Sequence, residues 1–330
     1  MKKIIILGAT GNVGSYFTKY AVDNYKQFEI IAVGRRKKAD VFKEIGINYI
    51  SVDISKKEEL EKLPIKDVFA VIDLAAVIPA YMDGYHPEMY LDSIIQGTFN
   101  VLEYCRKNKV EKFLFSTSCY DVWEYPVGTI IKWDSPRNFS YVGDHAMYVI
   151  AKNTACELIE HYHQQYGLKT FIFRFPTIYS YSTNHYIYPN GIKTLRPLYK
   201  LIFNAMEGKP LEIWGDPNYA KDMIYVYDAA QMFFLAIMND KLSKGFYNCG
   251  TGIPVTLYEQ MQAIVDVFCP KDKKSEIVVL GDKIAGGGLL MDVSNAISEL
   301  GYKPKYDVKA LFEEFKKEMK VDRFKELRGE

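Results

Sequence analysis

The chain has no surplus of charge of either sign. Its 330 residues carry 42 Lys plus Arg against 41 Asp plus Glu, a formal net charge of +1. No broad field is available to gather nucleic acid or an anionic membrane, and neither is expected as a partner. Long apolar runs are also missing, since no stretch approaches the ~20 residues of a membrane span. Met1-Lys2-Lys3 leads straight into Ile4-Ile5-Ile6-Leu7-Gly8, which is too short for the core of a secretory signal. Cysteine is scarce. Cys105, Cys119, Cys156, Cys249 and Cys269 are odd in number and far apart, with no CxxC pair. That spacing argues against a disulfide framework or a zinc site and for a reducing, cytoplasmic setting. No repeat, low-complexity segment or long linker interrupts the sequence.

What remains is the composition of a folded protein. Hydrophobic residues make up 48% and charged residues 25%, too apolar and too evenly charged for disorder. The length suits one large domain or two smaller ones. Tyr is abundant at 26 residues, as expected of a Tyr-rich core and surface.

The first half alternates short β-rich runs with helical patterns. Strands are expected at Lys3–Leu7, Phe28–Val33, Asn48–Val52, Val68–Leu74, Lys112–Ser116 and Thr170–Phe175. Most are continuous apolar runs, which fits strands buried on both faces of a parallel sheet. Helices are expected at Val13–Tyr25, Ala39–Ile45, Lys56–Leu63, Glu88–Lys107 and Ala146–Tyr166. This alternation predicts an α/β fold with a doubly wound parallel sheet over 1–178. The rhythm then loosens. Tyr179–Gly191 reads as a loop, and mixed short elements follow, including Leu198–Met206, Leu211–Trp214, Asp228–Met238 and Val308–Met319. A smaller lobe over 179–330 is expected, with the chain crossing back between about 215 and 255.

The first strand runs into Gly8-Ala9-Thr10-Gly11-Asn12-Val13-Gly14 and then a helix. Glycines remove the Cβ atoms that would block a close ligand. The helix N-terminus then offers N–H groups and partial positive charge to a diphosphate. Strand–turn–helix context makes this a dinucleotide site. The second strand ends in Gly34-Arg35-Arg36-Lys37-Lys38, with no carboxylate to bond a ribose 2′-OH. Arg35 and Arg36 suit a 2′-phosphate, so NADP is expected before NAD. Asp53 and Ile54 close the third strand, where the carboxylate could reach an adenine amino group or simply cap the backbone before Ser55.

Tyr148 and Lys152 lie four residues apart in a helical segment and so share a face. A nearby ammonium, with a cationic nicotinamide, would lower the phenol pKa toward working pH, letting the phenol exchange a proton with an alcohol or carbonyl. The strand before it ends in Ser116-Thr117-Ser118-Cys119, hydroxyls placed at the ligand-binding edge of an open sheet.

Together these residues resemble the extended short-chain dehydrogenase/reductase family, in particular its nucleotide-sugar epimerases, dehydratases and reductases. Further segments carry the resemblance. Asp73-Leu74-Ala75-Ala76 is similar to the D-x-A-A segment beneath the cofactor, and Gly97-Thr98-Phe99-Asn100-Val101-Leu102 to G-T-x-N-x-L. Arg174-Phe175-Pro176-Thr177-Ile178-Tyr179 resembles R-P-x-N-V-Y-G, with Pro176 and Ile178 toward the cofactor. Gly215-Asp216, Lys221 to Asp228, and Asn248-Cys249-Gly250 resemble G-D-G, R-D-F-V-H-V-x-D and N-V-G. The resemblance implies a Rossmann domain with a substrate lobe and catalysis by Ser118, Tyr148 and Lys152, with Thr117 the second choice of hydroxyl. It also implies a nucleotide-sugar substrate and a homodimer through helices near 88–107 and 146–166.

Departures from the pattern narrow the reaction. Ser118 is followed by Cys119-Tyr120 and not by the Asp-Glu of the 4,6-dehydratases. Ser118-Cys119 resembles the S-S-C of GDP-fucose synthases, whose cysteine helps epimerise a keto-sugar. Cys119 is a candidate for that role against a buried inert thiol, and His185 for its partner acid against a surface histidine. Lys221 stands where the family has the arginine that clamps the substrate diphosphate. Expected is an NAD(P)-dependent sugar-nucleotide epimerase or keto-reductase. The alternatives are an NADPH-dependent reductase of a small non-sugar carbonyl compound, or a cofactor-sensing binding protein without turnover. No metal site is expected.

Overall fold

A computed structural model describes residues 1–283 and 288–327. Seven strands form its main sheet: β1 (Lys3–Leu7), β2 (Glu29–Gly34), β3 (Asn48–Ser51), β4 (Val68–Asp73), β5 (Lys112–Ser118), β6 (Lys169–Phe175) and β7 (Lys244–Asn248). Their order is β7-β6-β5-β4-β1-β2-β3, and every neighbouring pair is parallel. Parallel strands need crossover connections, and the crossover helices bury both faces of the sheet. Successive residues of β1 accordingly enter different cores. Ile4 and Ile6 pack with Phe17, Phe171 and Phe233, whereas Ile5 and Leu7 pack with Val71, Val101 and Ile159. The fold is the doubly wound Rossmann arrangement that the apolar runs predict.

Helices α1 (Asn12–Asn24) and α4 (Val226–Met238) cover one face. On the other lie α2, running through Glu88–Tyr90, Leu91–Gln96 and Gly97–Lys107, and α3 (Ala146–Tyr166). The middle part of α2 is a π-turn. One widened turn leaves the apolar spacing nearly unchanged, so periodicity reads straight through it. The expected helix at Lys56–Leu63 is a 3-10 helix over Lys57–Lys62.

The second half adds small strand pairs. Leu211–Trp214 runs parallel to Ile277–Leu280, and Ala220–Asp222 antiparallel to Pro254–Thr256. The segment read as a loop, Tyr179–Gly191, contains Tyr186–Ile187, paired with Thr194–Leu195. Two residues are too few for a period of two to show in sequence.

The register brings the carboxyl ends of the central strands together. Leu7 of β1 is level with Asp73 of β4, Asp73 with Phe115 of β5, and Ser118 with Phe175 of β6. The glycine turn, the Asp73–Ala76 segment and the hydroxyls at the end of β5 therefore converge on one edge.

Candidate active site

The glycine turn is tight because it has no side chains to hold it open. Gly8 sits at φ +76°, and a Cβ there would lie 2.9 Å from the Leu74 carbonyl and the Ala75 nitrogen. A Cβ on Gly14 would come within 2.1 Å of the Gly8 carbonyl oxygen. The turn thus presses the start of α1 against Leu74-Ala75-Ala76, the half-buried segment after β4. Gly11 caps α1 and carries no side chain to bond its first amides. Thr10 packs against Gly34 at the end of β2. Asn12 donates from Nδ2 to Ser180 Oγ at 2.7 Å, which ties the helix start to the chain after β6, and Val13 anchors the helix in the core. Such an N-terminus, brought close by three glycines, fits a diphosphate.

The two arginines after β2 are placed differently. Arg35 is exposed. Arg36 donates from Nη2 to the Leu327 carbonyl at 2.9 Å, and its own carbonyl accepts from the Tyr49 hydroxyl at 2.7 Å. Asp53 Oδ1 accepts the N–H and the hydroxyl of Ser55 at 3.1 and 2.8 Å, the local cap that was one of the two readings for it. Ile54 is buried against Gly97, and its carbonyl accepts from Asn100 at 2.9 Å. Pro176 and Ile178 are half-buried just beyond β6, where Ile178 pairs with Ile224.

Ser118, Tyr148 and Lys152 come together. Ser118 ends β5; Tyr148 and Lys152 lie one turn apart on α3, and all three are buried. The Ser118 hydroxyl and the Tyr148 phenol are close enough to influence one another, and Ser118 Oγ also accepts the N–H of Tyr120 at 3.3 Å. Thr117 is buried as well, and its Oγ1 has no hydrogen-bond partner among the described residues. Burial pushes the phenol pKa well above its ordinary value, and the neighbouring Ser118 hydroxyl works against that rise. The expected lowering by the Lys152 ammonium is not seen, because that ammonium faces elsewhere. Its Nζ donates to the Ser116 carbonyl at 2.7 Å and lies 4.3 Å from the centre of the Phe115 ring. Its charge answers Asp73. Burial pulls Lys152 down to about 8 against the attraction of Asp73. Burial likewise pushes Asp73 up to about 6 against the attraction of Lys152 and the N–H of Ala75, 3.0 Å from its Oδ1.

Other candidates stay apart from this set. Cys119 is buried and its thiol is raised to about 12, by burial first and by Asp121 second. It is therefore protonated at neutral pH. His185 is not a surface histidine. It stacks on Tyr199 with centroids 4.3 Å apart, meets Phe203 edge-on at 5.3 Å, and is lowered by burial. The aromatic loop that contains it folds inward around the ring. Lys221 lies on the strand paired with Pro254–Thr256. Among the described residues neither Lys221 nor His185 has a hydrogen bond to Ser118, Tyr148 or Lys152.

Two arrangements escaped sequence reasoning. Arg174 at the end of β6 forks onto Asp121, with Nη2 and Nε at 3.0 and 3.2 Å from Oδ2, and reaches Asn248 Oδ1 at 3.0 Å. This pins the chain just after Ser118. Arg174 and Asn248 stood in recognisable segments, but nothing local marked Asp121 as their partner. Asp144 and His145 also form a pair, Oδ1 to Nδ1 at 2.5 Å, with the imidazole 4.2 Å from the Tyr120 ring. Beside them opens a cavity of about 690 Å³, lined by Tyr85, Tyr90, Tyr141, Asp144 and Met147 among others. Tyr90 meets the Tyr148 ring edge-on at 5.9 Å. No group of three possible metal ligands occurs among the described residues.

The model of the NAD dependent epimerase/dehydratase family matches residues 4–250. The chain belongs to that family. It is an enzyme of the extended short-chain dehydrogenase/reductase type, built on the NAD-binding Rossmann sheet described above. A putative UDP-glucose 4-epimerase of Methanocaldococcus jannaschii is 26% identical over 316 residues, covering 93% of this chain and 94% of that one. A UDP-glucuronate 4-epimerase of Thermodesulfobacterium geofontis is 25% identical over 284 residues, 82% of each chain. Among solved structures, UDP-glucose 4-epimerase of Thermotoga maritima with UDP-glucose superposes with a TM-score of 0.76 at 20% identity, covering 96% of this chain and 99% of that one. dTDP-glucose 4,6-dehydratase of Bacillus anthracis in complex with NAD superposes at 0.74 and 20% identity, covering 99% and 100%. These two share the fold. No helix of the described residues is long and apolar enough to cross a membrane.

Proposed function

We propose that the chain is an NAD(P)-dependent sugar-nucleotide epimerase or keto-reductase whose proton-transfer set is Ser118, Tyr148 and Lys152. The observation that carries this is the convergence of the buried Ser118, Tyr148 and Lys152 side chains at the sheet edge that also carries the glycine turn. The nicotinamide, when bound, supplies the hydride acceptor or donor. The protein's part is the proton. Ser118 orients the reacting oxygen and Tyr148 takes its proton or returns it. Lys152, held by the Ser116 carbonyl, completes the set as a buried cation whose charge is supported by Asp73.

In this reading residues 1–178 hold the cofactor and 179–330 the substrate, with the chain returning to the first unit between about 215 and 255. Arg35 and Arg36, with no carboxylate at the end of β2, favour NADP over NAD. Lys221 is the cation offered to the substrate diphosphate. Leu91 and Phe99, each 41% exposed on the outer side of α2, support a homodimer through α2 and α3. Five free cysteines suit a reducing, cytoplasmic compartment.

Incubation with UDP-, GDP- and dTDP-sugars, following NADPH absorbance and sugar products, tests the reading. Interconversion of sugars without net NADPH loss identifies an epimerase, and stoichiometric NADPH consumption a reductase. Turnover of no sugar nucleotide overturns both versions.

A further inference from the structure

Residues 322–327 follow helix α5 (Val308–Val321) and return across the first half of the chain. Phe324 is buried with its ring edge-on to Tyr16 of α1, centroids 5.1 Å apart. Leu327 is buried too, and its carbonyl is the acceptor for Arg36 Nη2 at 2.9 Å. One residue earlier, the Glu326 carboxylate accepts the N–H of Asp40 on Oε1 and of Val41 on Oε2, each at 2.8 Å. One short segment therefore grips both the helix that starts at the glycine turn and the loop that follows β2. Three hydrogen bonds tie it to Arg36 of that loop and to Asp40 and Val41, the first residues of the short helix Asp40–Glu44 that ends the loop.

The grip has an electrostatic consequence. The loop opens with Arg35, Arg36, Lys37 and Lys38, and Glu326 places the opposite charge at its far end. A ribose 2′-phosphate brings negative charge to this loop, whereas a ribose 2′-OH brings none. We infer that Glu326 is a specificity-determining residue. It holds the loop through its two amide bonds and, by its charge, weakens binding of a 2′-phosphate. The choice between NADP and NAD is then set by Arg35 and Arg36 acting against Glu326. The inference rests on the dinucleotide reading above, but Glu326 need not touch the cofactor.

Glu326→Gln removes the charge and keeps a carbonyl oxygen for one amide. Dissociation constants for NADP and NAD, measured by calorimetry, need no turnover. NADP should bind about three- to tenfold more tightly to the variant at low ionic strength, with NAD within about twofold. The gain should shrink in 1 M salt, where the screening length falls to about 3 Å. Glu326→Ala removes the charge and both acceptors. It should raise the NADP-to-NAD affinity ratio in the same direction while weakening both cofactors. Glu207→Gln, which takes one charge from an exposed pair with Lys209 in the other half of the chain, should leave the ratio unchanged. Melting temperatures report whether each variant is folded. A ratio unmoved or lowered in Glu326→Gln, or raised equally in Glu207→Gln, overturns the inference and leaves the dinucleotide reading standing. A wild-type protein that binds neither cofactor overturns both.

Discussion

Asp73 and Lys152 are both buried and act on each other's charge without meeting in a salt bridge: Lys152 Nζ donates to the Ser116 carbonyl at 2.7 Å and Asp73 Oδ1 accepts the N–H of Ala75 at 3.0 Å. Each is pushed toward neutrality by burial and held in its charged form by the other. Lys152 is depressed to about 8, so its ammonium is present below that pH and lost above it. The Asp73 carboxylate raises that value. Asp73→Asn removes the attraction and lowers the Lys152 pKa further. The alkaline limb of the pH–rate profile, near 8 in the wild type, should therefore move to lower pH in Asp73→Asn, with cofactor affinity largely retained. A limb that stays in place would separate Asp73 from Lys152 function.

Tyr148→Phe removes the phenol oxygen while keeping the ring that packs against Tyr90. The fold should survive, because the ring fills the same space. Turnover should fall by roughly 10²–10⁴, the usual worth of a positioned acid–base group. Dinucleotide affinity should change little. A variant that keeps near-normal turnover would dismiss Tyr148 as the proton-transfer residue and revive a carbonyl reductase without this set, or a sensor.

Gly14→Ala tests the turn. A Cβ at 2.1 Å from the Gly8 carbonyl oxygen cannot be accommodated without moving the backbone of the turn or the first turn of α1. A loss of about 1–3 kcal/mol is expected from overpacking a well-packed contact. Because the displaced atoms are those facing the proposed diphosphate, dinucleotide binding should fall more steeply than thermal stability. Calorimetric titration beside thermal melting reads both. Equal cofactor affinity in variant and wild type would detach the turn from phosphate binding.

How much of this was legible depends on range. The six runs read as strands in the first half lie in the parallel sheet, because strands buried on both faces leave an uninterrupted apolar signal. The glycine spacing and the Tyr148–Lys152 interval were legible for the same reason: each is local. What was not legible is what the fold brings together from afar. Asp73 was visible only as part of a segment beneath the cofactor, and a crossover and a strand separate it in sequence from the helix that carries Lys152. Glu326 reaches the amides of residues 40 and 41 across most of the chain, so no window in the sequence contains both. The i,i+4 spacing fixes the face but not the direction of a lysine, and Lys152 turns to the Ser116 carbonyl. His185 looked exposed because Tyr181, Tyr199 and Phe203 surround it only after the loop closes.

The Arg174–Asp121 pair is the last test, and it separates support from chemistry. Both side chains are buried, and Arg174 also bonds Asn248 on β7, so the fork joins β6, β7 and the turn after Ser118. Removing one partner leaves the other charge buried without its counter-ion, which costs about 3–5 kcal/mol. Arg174→Met should therefore lower the urea midpoint strongly. The Arg174→Met, Asp121→Leu double variant should recover part of that loss, because no lone charge remains. Turnover should not recover with it. The turn that begins at Ser118 is no longer pinned, and the Ser118 hydroxyl drifts from the Tyr148 phenol. Stability rescued without activity would mark the fork as the positioning device for Ser118, while activity that returns in step with stability would make it a structural brace alone.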